Sequence, residues 1–203
     1  MRRLLDLAEE KISQLLREAR DHAVKSLELS IEVYKNSPKS GEILALASRL
    51  HDIHHEVTEL VMEAVARFNP VASDLRFLRG ALFVSYDLYR VARYAYDVAI
   101  VVEKLGGGCV SQKVEEVGGL VSKMVATAVD MFLTRDISHI EELDKLDDVV
   151  DRAYGDALRD VLKGPDRCGV IETMALRLFE RASDHAVYIG NHTYYLATGL
   201  LRR

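Results

Sequence analysis

Tryptophan is absent from this chain of 203 residues, proline occurs three times and cysteine twice. So few prolines leave helical periods running almost from end to end. Two cysteines, Cys109 and Cys168, are too few and too far apart for a cysteine-based metal motif. No uninterrupted apolar run is long enough to span a bilayer. No basic cluster stands out, and the net charge of -5 argues against a nucleic-acid partner. Nothing reads as a nucleophile–base–orienter triad, a phosphate-cradling loop or a dinucleotide fingerprint. Met1 to Leu7 are amphipathic and run straight into a helical pattern, so no signal peptide is expected and a cytoplasmic location is.

What is present is helix-forming. The chain is 49% hydrophobic and 29% charged, enough for a sizeable core. The breakers predict six helices. Helix one runs from about Arg2 to Asn36, with apolar positions at Leu4, Leu5, Ala8, Ile12, Leu15, Leu16 and Ala19. It ends at Ser37-Pro38-Lys39-Ser40-Gly41. Helix two reaches about Phe68. Asn69-Pro70 reads as a cap followed by proline at the first helical position, placing the start of helix three at Pro70. Gly106-Gly107-Gly108 is the strongest break. Helix four then runs to about Arg135, Asp136 can cap helix five, and Gly164-Pro165 precedes helix six. The expected fold class is all-α, with six long antiparallel helices. The glycine run divides them into two units of three, 1–105 and 106–203. A faint internal match supports this, since Tyr89 to Ala95 aligns with Glu180 to Ala186, sharing the arginine and the last alanine.

The chemistry concentrates on the last two helices. Glu180 and Asp184 are four residues apart, so one helix face carries both carboxylates. Asp147 and Asp151 form a second such pair, bordering the apolar stripe Leu143, Leu146, Val150 and Tyr154. If these helices are antiparallel neighbours, four acids converge. Like charges so placed repel unless a cation lies among them. Hard oxygen ligands suit Mg, Ca, Mn or Fe. The plain alternatives are an acidic, solvated helix, since Glu141, Glu142 and Asp148 are also there, or neutralisation by Arg181. A second cluster, His51, Asp52, His54, His55 and Glu56, lies on helix two. His51 and His55 have the spacing that grips a transition metal, but solvated histidines are the commoner case. Tyr86, Tyr89, Tyr94 and Tyr96 with Arg90 and Arg93 on helix three read as a packed interface with hydroxyls at its rim.

Several of these runs resemble one family. Pro70-Val71-Ala72-Ser73-Asp74-Leu75-Arg76 is similar to the Pro-x-Ala-Ser-Asp-Leu-Arg signature of the PhoU family of phosphate-uptake regulators. The Glu-Arg-x-x-Asp-His-Ala run from Glu180 resembles its other hallmark, as do Val150-Asp151-Arg152 and Tyr195-Leu196-Ala197-Thr198-Gly199. The resemblance spans the whole chain and implies two pseudo-symmetric three-helix bundles. It implies multinuclear metal sites on acidic motifs of the second and third helices of each repeat. Asp147, Asp151, Glu180 and Asp184 are then the second-repeat ligands, with Asp144 or Asp148 able to replace Asp147. The ions would be divalent or ferric: Fe, Mn, Mg or Zn. The first repeat departs from the pattern, with Ala47 and His51 on helix two and Tyr89 and Arg93 on helix three where acids are expected. The first site is thus expected to be degenerate.

The resemblance also implies a non-enzymatic regulator that docks on a phosphate ABC transporter at the membrane and on a phosphate-sensing histidine kinase. Apolar and tyrosine-rich surfaces suggest a homodimer. The competing class is a carboxylate-bridged di-metal oxidase or iron-handling bundle, which needs Glu-x-x-His on two facing helices, and Glu180 is five residues from His185. A third reading is an interaction bundle without metal. Bundle topology places Cys109 and Cys168 near the same end, but a reducing cytoplasm disfavours a disulfide.

Overall fold

The computed structural model describes residues 2–34 and 39–202. The expected end of helix one, from Asn36 through Pro38, lies outside them. Among the described residues there are six helices and no strand: α1 Arg2–Tyr34, α2 Ser40–Phe68, α3 Ala72–Leu105, α4 Gln112–Thr134, α5 Ile140–Lys163 and α6 Arg167–Thr198.

Helix α1 buries Leu5, Ile12, Leu15, Leu16 and Ala19 as its spacing predicts, while Leu4 is exposed. Helices α3 and α6 are apolar on a wider arc and make the most extensive contact in the molecule, with α1 against α4 beside them. Helix α2 packs on α1 and α3, and α5 mainly on α6. The outer position of α5 explains its acidity: only Ile140, Leu143, Val150 and Ala157 are buried on it. One core therefore runs through both halves, with Phe77 stacked on Phe132 at 5.5 Å between centroids. Close approach at this seam depends on Gly80, where a Cβ would lie 2.5 Å from the Phe132 ring.

Two expected helix starts are displaced. Asn69 adopts a left-handed conformation (φ 47°) and closes α2, so α3 starts at Ala72 after the extended Val71. Asparagine tolerates that conformation better than most residues, and here it ends the preceding helix instead of capping the next. Asp136 does not cap α5 either. It accepts from the Ser138 backbone N–H and hydroxyl, both at 2.9 Å, closing a turn ahead of a helix whose N-cap is His139. Gly106 ends α3 as expected, with positive φ and its N–H bonded to the Val102 carbonyl.

Helix α4 comes nearest to a membrane segment, although Lys123 and Asp130 interrupt its apolar run. By length and composition Gln112–Thr134 qualifies, with a mean hydropathy of 1.3 over its most apolar window. Half of that window is buried, as in the core helix of a bundle, where α4 packs against α1 and α6.

The disfavoured disulfide is formed. Cys109 and Cys168 are bonded across 59 residues, with Cα atoms 5.6 Å apart. The reading that placed both at one end of the bundle was right; the inference from redox compartment was not. Beside the bond, the Arg167 guanidinium donates to the carbonyls of Leu105 at 3.1 Å and Gly107 at 2.8 Å. It thereby satisfies groups that the end of α3 leaves free.

Candidate metal-binding face

Helices α5 and α6 pack so that Asp147 and Asp151 face Glu180 and Asp184. The link between the helices is Ser183. Its hydroxyl lies 2.6 Å from Asp147 Oδ1 and 2.9 Å from the Glu180 backbone carbonyl, and it has one proton to share between them. Glu180 is buried (7% exposed), Asp147 and Asp184 are half-buried and Asp151 is exposed. Burial, opposed by the Ser183 hydrogen bond and reinforced by Asp151, Asp184 and Glu180, pushes the Asp147 carboxyl up to about 6. Asp184 is raised by burial against the opposing Arg181, with Glu180 and Asp151 adding to the rise. Asp151 is raised by burial and then by Glu180 and Asp148, with Arg181 and Arg177 opposing.

Two arginines on α6 supply countercharge. Arg181 grips Glu180 in a two-pronged contact, Nε to Oε2 and Nη2 to Oε1, each 2.8 Å, and reaches Asp184 at 3.0 Å. Arg177 meets Glu180 Oε1 at 2.7 Å. Neutralisation by Arg181, one of the plain alternatives, is thus realised for Glu180 and Asp184. Among the described residues, Asp147 and Asp151 meet no cation at ion-pair distance. The two substitute acids are accounted for: Asp144 is paired with Arg202, and Asp148 is exposed on α5, near enough to raise Asp151. Among the described residues, no three histidine, cysteine, aspartate or glutamate side chains are drawn together closely enough to hold one ion.

The corresponding face of the first half is also assembled. Ala47, His51, Tyr89 and Arg93, with Ser48 and Asp52, line a groove of about 260 Å³ between α2 and α3. No acid pair converges there. Arg93, on the groove wall, also lies 4.0 Å from Asp97 and 5.0 Å from the Tyr96 ring centre. Arg90 donates to the Tyr94 hydroxyl one turn along the same helix at 2.7 Å.

One constellation escaped the sequence reading. Asp87 on α3 is buried (5% exposed), and its Oδ1 lies 2.8 Å from His185 Nδ1 on α6. His192 Nε2 is 3.7 Å from Oδ2, which is buried without a hydrogen-bond partner. His192 itself stacks on Phe83 at 4.8 Å. These residues tie the two halves together. The signal was legible: Asp87 sits on the apolar arc of Val84, Leu88 and Val91, where an acid needs a partner.

Comparison with known proteins agrees with this architecture. The family model described as "PhoU domain" matches residues 16–102 and again 114–193. The "Phosphate-specific transport system accessory protein PhoU homolog 1" of Thermotoga maritima is 25% identical over 200 residues, covering 93% of this chain and 84% of that one. The PhoU homolog of Pseudomonas aeruginosa is 29% identical over 174 residues, covering 81% and 72%. The crystal structure of PhoU from Pseudomonas aeruginosa superposes with a TM-score of 0.77 at 25% identity, covering 97% of this chain and 96% of that one. PhoU from Streptococcus pneumoniae, at 21% identity and a TM-score of 0.67, shares the fold. The twice-matched domain, the acid-bearing α6 motif and the six-helix bundle lead to one conclusion: this chain belongs to the PhoU family.

Proposed function

We propose that this protein is a non-enzymatic, cytoplasmic regulator of phosphate uptake, built as two repeats over 1–105 and 106–203. It acts by docking on a phosphate ABC transporter and its signalling partner, as a homodimer. The names of its relatives, accessory proteins of a phosphate-specific transport system, support the process. The surface supports docking over catalysis: large apolar side chains such as Tyr86, Tyr188 and Met174 stand more than 40% exposed on the long helices.

The second-repeat face is proposed to bind metal through Asp147, Asp151, Glu180 and Asp184. The observation that carries this is the meeting of two acid pairs across α5 and α6, with Asp147 pushed up to about 6 by burial and by its acidic neighbours. By type, the carboxylate donors suit a hard cation such as Mg, Mn or iron, which would draw them closer together than they stand unbound. Arg177 and Arg181 have side chains 43% and 40% exposed, so both can turn to solvent and release Glu180 and Asp184. A bound ion would supply fixed positive charge that relieves the repulsion and anchors the surface at a partner or bridges to phosphate. Elemental analysis of purified protein tests this. Wild type is expected to carry metal and the Glu180→Ala/Asp184→Ala double variant to lose it; equal metal content in both would refute the site. Co-purification of the tagged protein with phosphate-transporter subunits from membranes tests docking, and its loss in the same variant would tie docking to the acidic face.

A further inference from the structure

The first-repeat face has no converging acid pairs but carries a different set of ligating atoms. His51 and His55 are one turn apart on α2, and both side chains are exposed. Their Nε2 atoms point at each other across 3.2 Å. Two imidazole nitrogens on one tetrahedral ion, at Zn–N distances of about 2.0–2.1 Å, stand about 3.3 Å apart. The pair is therefore already close to that separation, and rotation of the two exposed rings would turn both lone pairs from each other onto one ion with the backbone unchanged. The third histidine is otherwise engaged: His54 Nδ1 lies 2.9 Å from Ser85 Oγ, turned in toward α3. Asp52, Tyr89 and Arg93 line the same groove as His51, and the Arg93 guanidinium is partly engaged by Asp97 and the Tyr96 ring.

We propose that His51 and His55 chelate a borderline divalent transition metal, such as copper, zinc or nickel, at the mouth of the α2–α3 groove, with water completing its coordination. Imidazole favours these ions over the hard cations suited to carboxylates. The two halves would thus present metal faces of different chemistry at corresponding places. The inference does not depend on the acidic site or on phosphate regulation.

Copper tests it, because its affinity for such a site is the highest of the first-row divalent ions. Chelator-treated full-length protein is titrated with Cu2+ and followed by electron paramagnetic resonance and calorimetry. Wild type is expected to show one site with two coordinated imidazole nitrogens. His51→Ala/His55→Ala, whose side chains are exposed and whose fold is checked by circular dichroism, is expected to lose that signal and weaken binding by at least about tenfold, or ~1.4 kcal/mol. His54→Ala and Glu180→Ala/Asp184→Ala are expected to keep it. A two-nitrogen signal that survives in the His51/His55 variant, or that is absent from wild type, overturns the proposal.

Discussion

Asp147 is where burial and like charge meet most sharply. Its folded-state pKa of about 6 lies above the ordinary 3.8, so the folded chain holds a proton more tightly than the unfolded chain. Between those two values folding binds protons, and stability falls as pH rises through the window. Above about pH 6 the ionised carboxylate costs stability, a cost absent below about pH 4. Asp147→Asn keeps an acceptor for Ser183 and removes the charge. In chelator-treated, metal-free protein it is expected to raise Tm at pH 7.5 and to change it little at pH 4, measured by thermal melts across pH. Equal effects at both pH values would rule out charge as the cause. Asp87 presents the opposite case. Truncation by Asp87→Ala leaves His185 without its partner inside the α3–α6 seam. It is expected to cost about 1–3 kcal/mol in urea unfolding, the range for an orphaned buried polar group.

At the scale of the helix, the caps separate what local pattern can and cannot show. Asp166 caps α6 through its side chain, accepting from the Gly169 N–H at 2.9 Å. Asp166→Ala is expected to cost about 1 kcal/mol by denaturant unfolding. Asp136 and Asn69 are equally good cap residues by type, and neither caps the helix that follows. Whether such a residue ends one helix, starts another or closes a turn depends on where the neighbouring helices direct the chain. Helix existence was legible because apolar residues recur every three to four positions over more than 20 residues in each element. The acidic motifs were legible for the same reason, since a spacing of four fixes a shared face. Their pairing with Arg177 was not, because a salt bridge depends on rotamers that spacing leaves open.

Across the whole molecule, the halves are joined by a shared core and by Asp87–His185, while the Cys109–Cys168 bond ties the segment before α4 to the start of α6 within the second half. Closing a loop of 59 residues restricts the unfolded chain by about 4 kcal/mol in the chain-entropy account. Cys109→Ser/Cys168→Ser, or reduction, is expected to lower Tm by several degrees with helical content unchanged in circular dichroism. A Tm insensitive to reductant would show that the bond adds nothing to stability.

The sequence by itself determined the helices, their number and rough limits, the acid pairs of α5 and α6, and the missing acids of α2 and α3. Each is a matter of periodicity or spacing along one helix, where geometry is local. Only the tertiary structure decided which acids meet a cation and which are left to repel, that Asp87 reaches across to His185, that α4 is a core helix, and that the two cysteines bond. Each of these depends on distances between residues far apart in the chain, fixed by how six helices bury one core.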